Sequence, residues 1–434
     1  ELLRVLPAEA EQAVVKSAKL QELRVELGAQ LPQVVGVVST MLLQQGSPCF
    51  LLGGGHVQDQ KLCISTLKCV AAWVPAGMSL TTLASAPGNL LRELMRAVVE
   101  CPTVPVVQAI CDALVGVMAV KTEAQSLAQR QAGMASSVVT LVLGARQRFS
   151  EASRALIVNG YGPDADLCRS ICALVTTVGV AFVDVVARGQ EEVYCRLVDF
   201  VSECTACPAR TIAVVAQDFW NALSECPIRN RHPQFCQPLF VSLLGTLLKQ
   251  CCFSGELDPA AAAAVDFKDD EFGAFRQDSP VKELLESTYY LLGSDYFRVT
   301  MGFMTAAGAD WHQREAAMWA IHAVSRVFVA QQRKWIAANK NAAATGGAAT
   351  AAGAGAAGAL TAVETDHMVE SSALMVQLLQ ALAANANQFR HPILARTVAR
   401  TLGSLSAWVD TSSDAARLVH ASTSYLVGSL VVEG

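Results

Sequence analysis

Aromatic residues are scarce, at 6% of 434, and charged residues make up only 16%. The first shortage argues against a β-sandwich, in which aromatic and β-branched side chains alternate with polar ones. The second excludes disorder, because a chain that is 52% hydrophobic and poor in charge has ample apolar surface to bury. No sustained two-residue alternation bounded by hairpin turns occurs, so no sheet is required. A basic excess is missing too: the net charge is -5 and the pI about 5.9. That argues against nucleic acid as a direct partner and leaves basic proteins open. No charged n-region with a hydrophobic stretch and cleavage site opens the chain, and no run of about 20 strongly apolar residues stands out, so neither secretion nor a membrane span is expected. The chain begins on Glu1 rather than Met and closes on an apolar stretch, Tyr425 to Val432, that reads as a helix without its partner. On that ground it is expected to be a fragment.

The residues that carry catalysis are also missing as sets. Gly53-Gly54-Gly55-His56 lacks the Lys and Ser/Thr of a phosphate-binding loop and stands between helices rather than after a strand. Cys204-Thr205-Ala206-Cys207 has zinc or redox spacing, but no second Cys or His pair lies at a usual distance, so it reads as a turn with two incidental thiols. The seven histidines, among them His232, His312, His322 and His391, are scattered without the i, i+4 pairing that sets two imidazoles on one helical face. No catalytic residue, metal ligand or cofactor is proposed, and the protein is not expected to be an enzyme. Of fourteen cysteines, most (Cys63, Cys69, Cys111, Cys168, Cys172, Cys252) lie in apolar helical stretches, where a reduced thiol acts as a small hydrophobe.

What the sequence does have is helical period, over and over. Leu91, Leu94, Met95 and Val98 follow the i, i+3, i+4, i+7 rule; so do Ile171, Leu174, Val175 and Val178, then Ile212, Val215, Ala216, Phe219 and Leu223, and finally Leu394, Val398, Leu402, Leu405 and Val409. The helices come in pairs split by short turns that carry Pro. A helix from Leu90 to Glu100 precedes Cys101-Pro102-Thr103 and a second from Val104 to Val120; another from Val193 to Cys204 precedes Pro208 and a second from Ala209 to Glu225. Second helices centre on Leu67, Cys111, Val175, Ala216, Leu285, Ile321 and Leu402, with a half-pair after Asp414. Two of the intervals fall in the low forties, near the HEAT or armadillo length of roughly 40 to 47 residues. Three second helices end in tryptophan (Trp73, Trp220, Trp408), read as packing between neighbouring repeats. The predicted fold is all-α: one continuous α-solenoid, a superhelical stack of about seven to eight antiparallel HEAT-type helix pairs over residues 1–434.

Three inserts interrupt this pattern. Phe149 to Pro163 reads as a surface loop. Residues 254–280 form an acidic inter-helix loop. Residues 341–362 are almost pure Ala, Gly and Thr, a low-complexity insert expected to be disordered or frayed helix. The acidic loop has the one unusual composition: Asp266, Asp269, Asp270 and Glu271 precede Phe272, Phe275 and Arg276. Its carboxylates are candidates for pairing with Lys or Arg of a partner, while Phe272, Phe275 and Arg276 anchor the loop on the stack. The alternative is a solvated loop whose anions cap the helix beginning near Pro280.

These same residues resemble a known family. Asp269-Asp270-Glu271-Phe272-Gly273-Ala274-Phe275-Arg276, followed by Val281-Lys282-Glu283-Leu284, is similar to the D-D-F-x-x-F-R segment and V-K-D-L-like helix of the β-karyopherins, in their transportin-SR and importin thirteen branch. Phe219-Trp220-Asn221-Ala222-Leu223 resembles that branch's F-W-x-x-L helix, and Trp311 with Glu315-Ala316 its W-x-x-x-E-A helix start. Leu67 to Trp73 and Arg396 to Trp408 resemble helices further out on each side. The resemblance implies an importin-type nuclear transport receptor that binds protein cargo, basic or Arg-Ser-rich, on a concave HEAT surface and releases it to Ran in its GTP form. It also implies nucleoporins as partners and shuttling between cytoplasm and nucleus, with neither membrane nor nucleic acid bound directly. A static HEAT scaffold or adaptor subunit of a multiprotein complex is the alternative that the same periodicity permits.

Overall fold

The computed structural model describes residues 17–44, 51, 57–119, 128–159, 162–253, 271–277, 280–344, 362–389, 391–410, 419 and 423. Among them helices predominate and no strand occurs. The chain divides after His232 into two compact units, each described by itself.

In residues 1–232 the helices are α1 (Ser17–Leu43), α2 (Val57–Ala72), α3 (Leu80–Ser85), α4 (Leu90–Glu100), α5 (Val104–Ala119), α6 (Ala128–Leu143), α7 (Arg146–Asn159), α8 (Pro163–Ala181), α9 (Val183–Arg188), α10 (Glu192–Thr205), α11 (Arg210–Ala213) and α12 (Gln217–Glu225). They pack in two layers: α4, α6 and α10 follow one another in one, and α2, α5 and α8 in the other. This is the arrangement expected when each two-helix unit can bury its apolar stripe only against the next. The local causes are plain in α4. Asn89, in the left-handed region at φ 51°, accepts a hydrogen bond from the Arg92 N–H and caps the first turn. Leu91, Leu94, Met95 and Val98 are all buried, each such side chain contributing roughly 1.5 to 3 kcal/mol. In the next helix pair but one, Pro163 occupies the first position of α8, where its missing N–H costs nothing.

Two helices depart from expectation here. The surface loop expected from Phe149 to Pro163 is largely helix α7, whose Phe149, Ala152 and Leu156 are buried. Its apolar stripe is one residue wide, too thin to register against the flanking Arg146, Arg148 and Arg154. The predicted helix from Ala209 to Glu225 is broken, with a 3-10 turn at Val214–Ala216 between α11 and α12. Glu22–Leu43, within α1, also corrects the sequence reading: with a mean hydropathy of 1.2 it is long and apolar enough to cross a membrane by length and composition. Its apolar residues Leu31, Val34, Val35, Val38 and Leu42 are nonetheless buried, and α1 packs on α2 and α4, as a core helix does.

Residues 233–434 comprise α13 (Gln237–Gln250), α14 (Glu271–Gln277), α15 (Val281–Leu292), α16 (Ser294–Thr305), α17 (Trp311–Ala344), α18 (Ala362–Ala384) and α19 (Pro392–Val409). Again two layers form, α13, α16 and α18 in one and α15, α17 and α19 in the other. A chain of edge-to-face rings runs through both layers: Tyr289 to Tyr296 at 5.7 Å, Tyr296 to Phe297 at 5.7 Å, Phe297 to Phe328 at 5.4 Å and Phe328 to Trp408 at 5.5 Å. Trp73, Trp220 and Trp408, the tryptophans expected to pack between repeats, are among the largest fully buried side chains.

The acidic loop expected over 254–280 contains helix α14 at its C-terminal end, since Phe272, Phe275 and Arg276 at i, i+3, i+4 give one turn a face to bury. Residues 254–270 lie outside the described residues. So do 345–361 of the Ala/Gly insert, whose first four residues continue α17, alanine being the best helix former. The half-pair after Asp414, apart from residues 419 and 423, and Gly53-Gly54-Gly55-His56 likewise fall outside.

Candidate partner-binding site

The acidic segment re-enters the described structure at α14, and there a dense polar and aromatic cluster holds it. Arg276 is 6% exposed and Glu315 1%. Nη1 of Arg276 donates to Oε1 of Glu315 at 2.9 Å and Nη2 to Oε2 at 2.6 Å, the bidentate fork that fixes a guanidinium in one plane. Nη2 also donates to the carbonyl of Cys251, just beyond the last turn of α13, where a cation meets the negative end of the helix dipole. Glu315 takes a further hydrogen bond from Thr397 Oγ1 at 2.8 Å. One guanidinium therefore joins α13, α14 and α17, and through Glu315 reaches α19.

Aromatic faces close around it. The Arg276 guanidinium carbon lies 4.4 Å from the Phe272 ring, 4.8 Å from Phe253 and 4.9 Å from Trp319, contacts worth roughly 0.5 to 2 kcal/mol each according to their desolvation. Phe253 and Phe272 stand 4.5 Å apart, and Phe253 is 5.7 Å from Trp311. Trp311 in turn is stacked between His312, at 3.9 Å, and His391, at 3.6 Å and 8°. Neither ring nitrogen of His391 has a hydrogen-bond partner. Burial, then the neighbouring His312, hold its pKa below the usual histidine value, with Glu315 opposing.

Of the residues singled out from the sequence, Phe272, Phe275 and Arg276 stand together on α14, with Phe275 5% exposed. Glu271 opens that helix, while Asp266, Asp269 and Asp270 lie outside the described residues. Glu315, Phe253, Trp319 and Thr397 were not singled out as parts of a site. Glu315 carried a usable signal, a lone acid leading the apolar run Ala316 to Ile321, but its partner is 39 residues away. Among the described residues no group of three or more His, Cys, Asp or Glu can hold a metal ion, and Cys204 and Cys207 are buried thiols outside any disulfide.

Residues 163–252, from α8 to the end of α13, match the family model of the second TPR domain of Transportin-3/Importin-13. Over that span the chain is similar to the importin-13/transportin-3 branch of the karyopherin-β family. The matched span contains Phe219-Trp220-Asn221-Ala222-Leu223, whose aromatic pair is buried; Arg276 and its cluster lie just beyond it. A comparison with curated proteins finds no match. Among solved structures, "Importin13 cytosolic state" aligns over 98% of this chain and 50% of its own, with a TM-score of 0.61 at 14% identity. Kap121p bound to Nup53p aligns over 99% and 41% with a TM-score of 0.49 at 13% identity. The first likeness shows the fold, an all-α stack of helix pairs of the HEAT kind, and the chain spans about half the length of that structure.

Proposed function

We propose that the chain is the part of a nuclear transport receptor on which protein cargo is held, cargo release being driven in the whole protein by Ran in its GTP form. The match of residues 163–252 to the second TPR domain of Transportin-3/Importin-13 is the observation that supports this reading. The carboxylates of Asp266, Asp269, Asp270 and Glu271 pair with Lys or Arg of a basic or Arg-Ser-rich cargo, and α14 gives that acidic segment a fixed end. Buried as it is, the Arg276 to Glu315 fork keeps α14 from drifting when cargo pulls on the carboxylates. Nucleoporins are the further partners that shuttling between cytoplasm and nucleus requires.

The experiment is a binding assay with the whole receptor, immobilised basic cargo, and Ran locked in its GTP or GDP form. Ran-GTP is expected to elute cargo and Ran-GDP to leave it bound. Equal retention with both nucleotides would identify a static scaffold and reject the transport reading. Charge reversal at Asp266, Asp269 and Asp270 is expected to weaken cargo at least tenfold without changing Ran binding; unchanged cargo affinity would remove the acidic segment from the interface.

A further inference from the structure

The two helix layers of residues 233–434 differ in charge. Helices α15, α17 and α19 carry eight Lys and Arg against three Glu, whereas α13, α16 and α18 carry two against four Asp and Glu. Of the three Glu, Glu315 is buried in its fork with Arg276, which leaves Glu283 and Glu286 to face the remaining cations. The matching layer of residues 1–232, made of α2, α5 and α8, has three Lys and Arg against four Asp, and the whole chain has a net charge of -5. The excess is therefore local. Arg326, Arg333, Lys334 and Arg396 are exposed and Lys282 is half-buried; none of these five has an ion-pair partner among the described residues. Arg400 adds its charge but is already engaged within the chain. Half-buried His322 on α17, 3.3 Å through Nδ1 from Ser404 Oγ, feels the same field. After burial, what holds its pKa below the usual histidine value is Arg400, Lys282 and Arg326, three cations from three helices.

We propose that the exposed face of the α15, α17 and α19 layer is an interface for the acidic surface of a partner protein, whose carboxylates are drawn to Lys282, Arg326, Arg333, Lys334 and Arg396. Like charges gathered on one face repel one another and hold nothing in this layer together, so a surface of opposite sign relieves them. Helix axes in a layer stand roughly 8 to 10 Å apart, which spreads the cations over a broad patch rather than a single track. Glu283 and Glu286 interrupt that patch on α15. The mixed charges of a folded protein can match such a mosaic, whereas the unbroken phosphates of a nucleic acid would meet both carboxylates and the acidic bulk of the chain. Exposed cations of this kind act on the rate of encounter and on the choice of partner more than on final affinity. The surface has the opposite sign to the acidic segment proposed for basic cargo, and it stands whether or not the transport reading does.

The test uses the 434-residue chain and a fluorescein-labelled helical peptide of repeated Glu-Ala-Ala-Ala, followed by anisotropy. Saturable binding is expected at about 0.1 M salt and its loss at about 1 M, where the screening length falls from roughly 10 to 3 Å. Lys282→Glu with Arg326→Glu should weaken binding at least tenfold, and so should Arg333→Glu with Lys334→Glu, a pair exposed enough to leave the fold alone. Lys61→Glu with Lys68→Glu, exposed on α2, makes the same change in net charge elsewhere and should alter affinity less than twofold. Unchanged far-ultraviolet circular dichroism keeps a folding defect out of the comparison. The proposal is overturned by absence of binding at the lower salt, by affinity indifferent to both second-layer pairs, or by an equal loss from the α2 pair, which would trace binding to overall charge. Tenfold tighter binding of a labelled single-stranded oligouridylate would assign the face to nucleic acid and overturn it as well.

Discussion

The Trp220 core of residues 1–232 and the Arg276 cluster of residues 233–434 both tie a helix end to its neighbours, with different chemistry. Around Trp220 neutral contacts hold the joint. The indole Nε1 donates to Thr205 Oγ1 at 2.7 Å, the Cys172 thiol donates to the Ile212 carbonyl at 3.5 Å, and Phe219 lies so close to Gly179 that any Cβ there would come within 2.5 Å of its ring. Around Arg276 the tie is a buried ion pair wrapped in rings. Arg148 sits between these extremes: a cation, it donates to the neutral carbonyls of Val98 at 2.7 Å and Cys101 at 2.7 Å, at the C-terminal end of α4. A neutral close-packed joint tolerates no added volume, whereas an ionic joint tolerates no loss of charge.

Removing one charge is the sharpest way to break this contrast. Glu315→Ala should destabilise residues 233–434 by about 3 to 5 kcal/mol, because it strands a buried guanidinium, while Glu315→Leu with Arg276→Met should be near neutral. Urea unfolding with thermodynamic cycles reads both, and a single mutant costing under about 1 kcal/mol would mean that the pair is solvated. On the neutral side, Gly179→Ala should cost about 1 to 3 kcal/mol through overpacking against Phe219, and Phe219→Leu in the same chain should recover part of it. A smaller loss, about 1 to 2 kcal/mol, is expected for Thr205→Val, which leaves the Trp220 indole N–H buried without an acceptor; Trp220 emission measured through unfolding should report it.

Thiol reactivity sharpens the comparison without a stability change. Burial pushes Cys168 up to about 12 and raises Cys204 as well, their thiol neighbours adding to the effect, so both should resist a thiolate-seeking reagent at neutral pH in the native protein. Cys195, Cys236 and Cys252, partly exposed, should label first; early labelling of Cys204 would show that the core opens readily.

The smallest effect is the pH dependence of residues 233–434. His391 and His322 are both held below the ordinary histidine pKa, in each case chiefly by burial; Arg400, Lys282 and Arg326 add to it at His322. Below the unfolded value near 6.5 the unfolded chain therefore binds more protons, and stability falls as the pH drops from about 7 towards the depressed folded pKa values. His391→Phe keeps a ring against Trp311 and should flatten that slope; an unchanged slope would place its origin elsewhere.

Much of the fold was legible because the signals are local. The stripe Leu91, Leu94, Met95, Val98 and the turn at Pro102 set α4 and α5 to within a residue, and the three tryptophans ending second helices announced buried joints. Helix α7 was hidden because its polar face carries three arginines, one of which, Arg148, turns back to bind backbone carbonyls instead of water. On α19 the stripe through Leu402 misses that Thr401 is the buried residue, donating to the Met318 carbonyl at 3.2 Å; a threonine's pairing across helices leaves no trace in hydrophobic period. At the candidate site, Phe272, Phe275 and Arg276 could be singled out by composition, but the groove that borders them draws on three further, separated stretches of chain, at Phe253, Glu315 to Trp319 and Ile393 to Arg400.

The sequence by itself determined that this chain is helical, paired and stacked, because helical period and proline turns are set by residues only a few positions apart. Tertiary structure alone decided that Arg276 meets Glu315, that Trp311 lies between two histidines, and that Arg396 and Arg400 border an aromatic groove. Those pairings join residues far apart in the chain, and only the packing of one helix layer on another brings their charges and rings within reach.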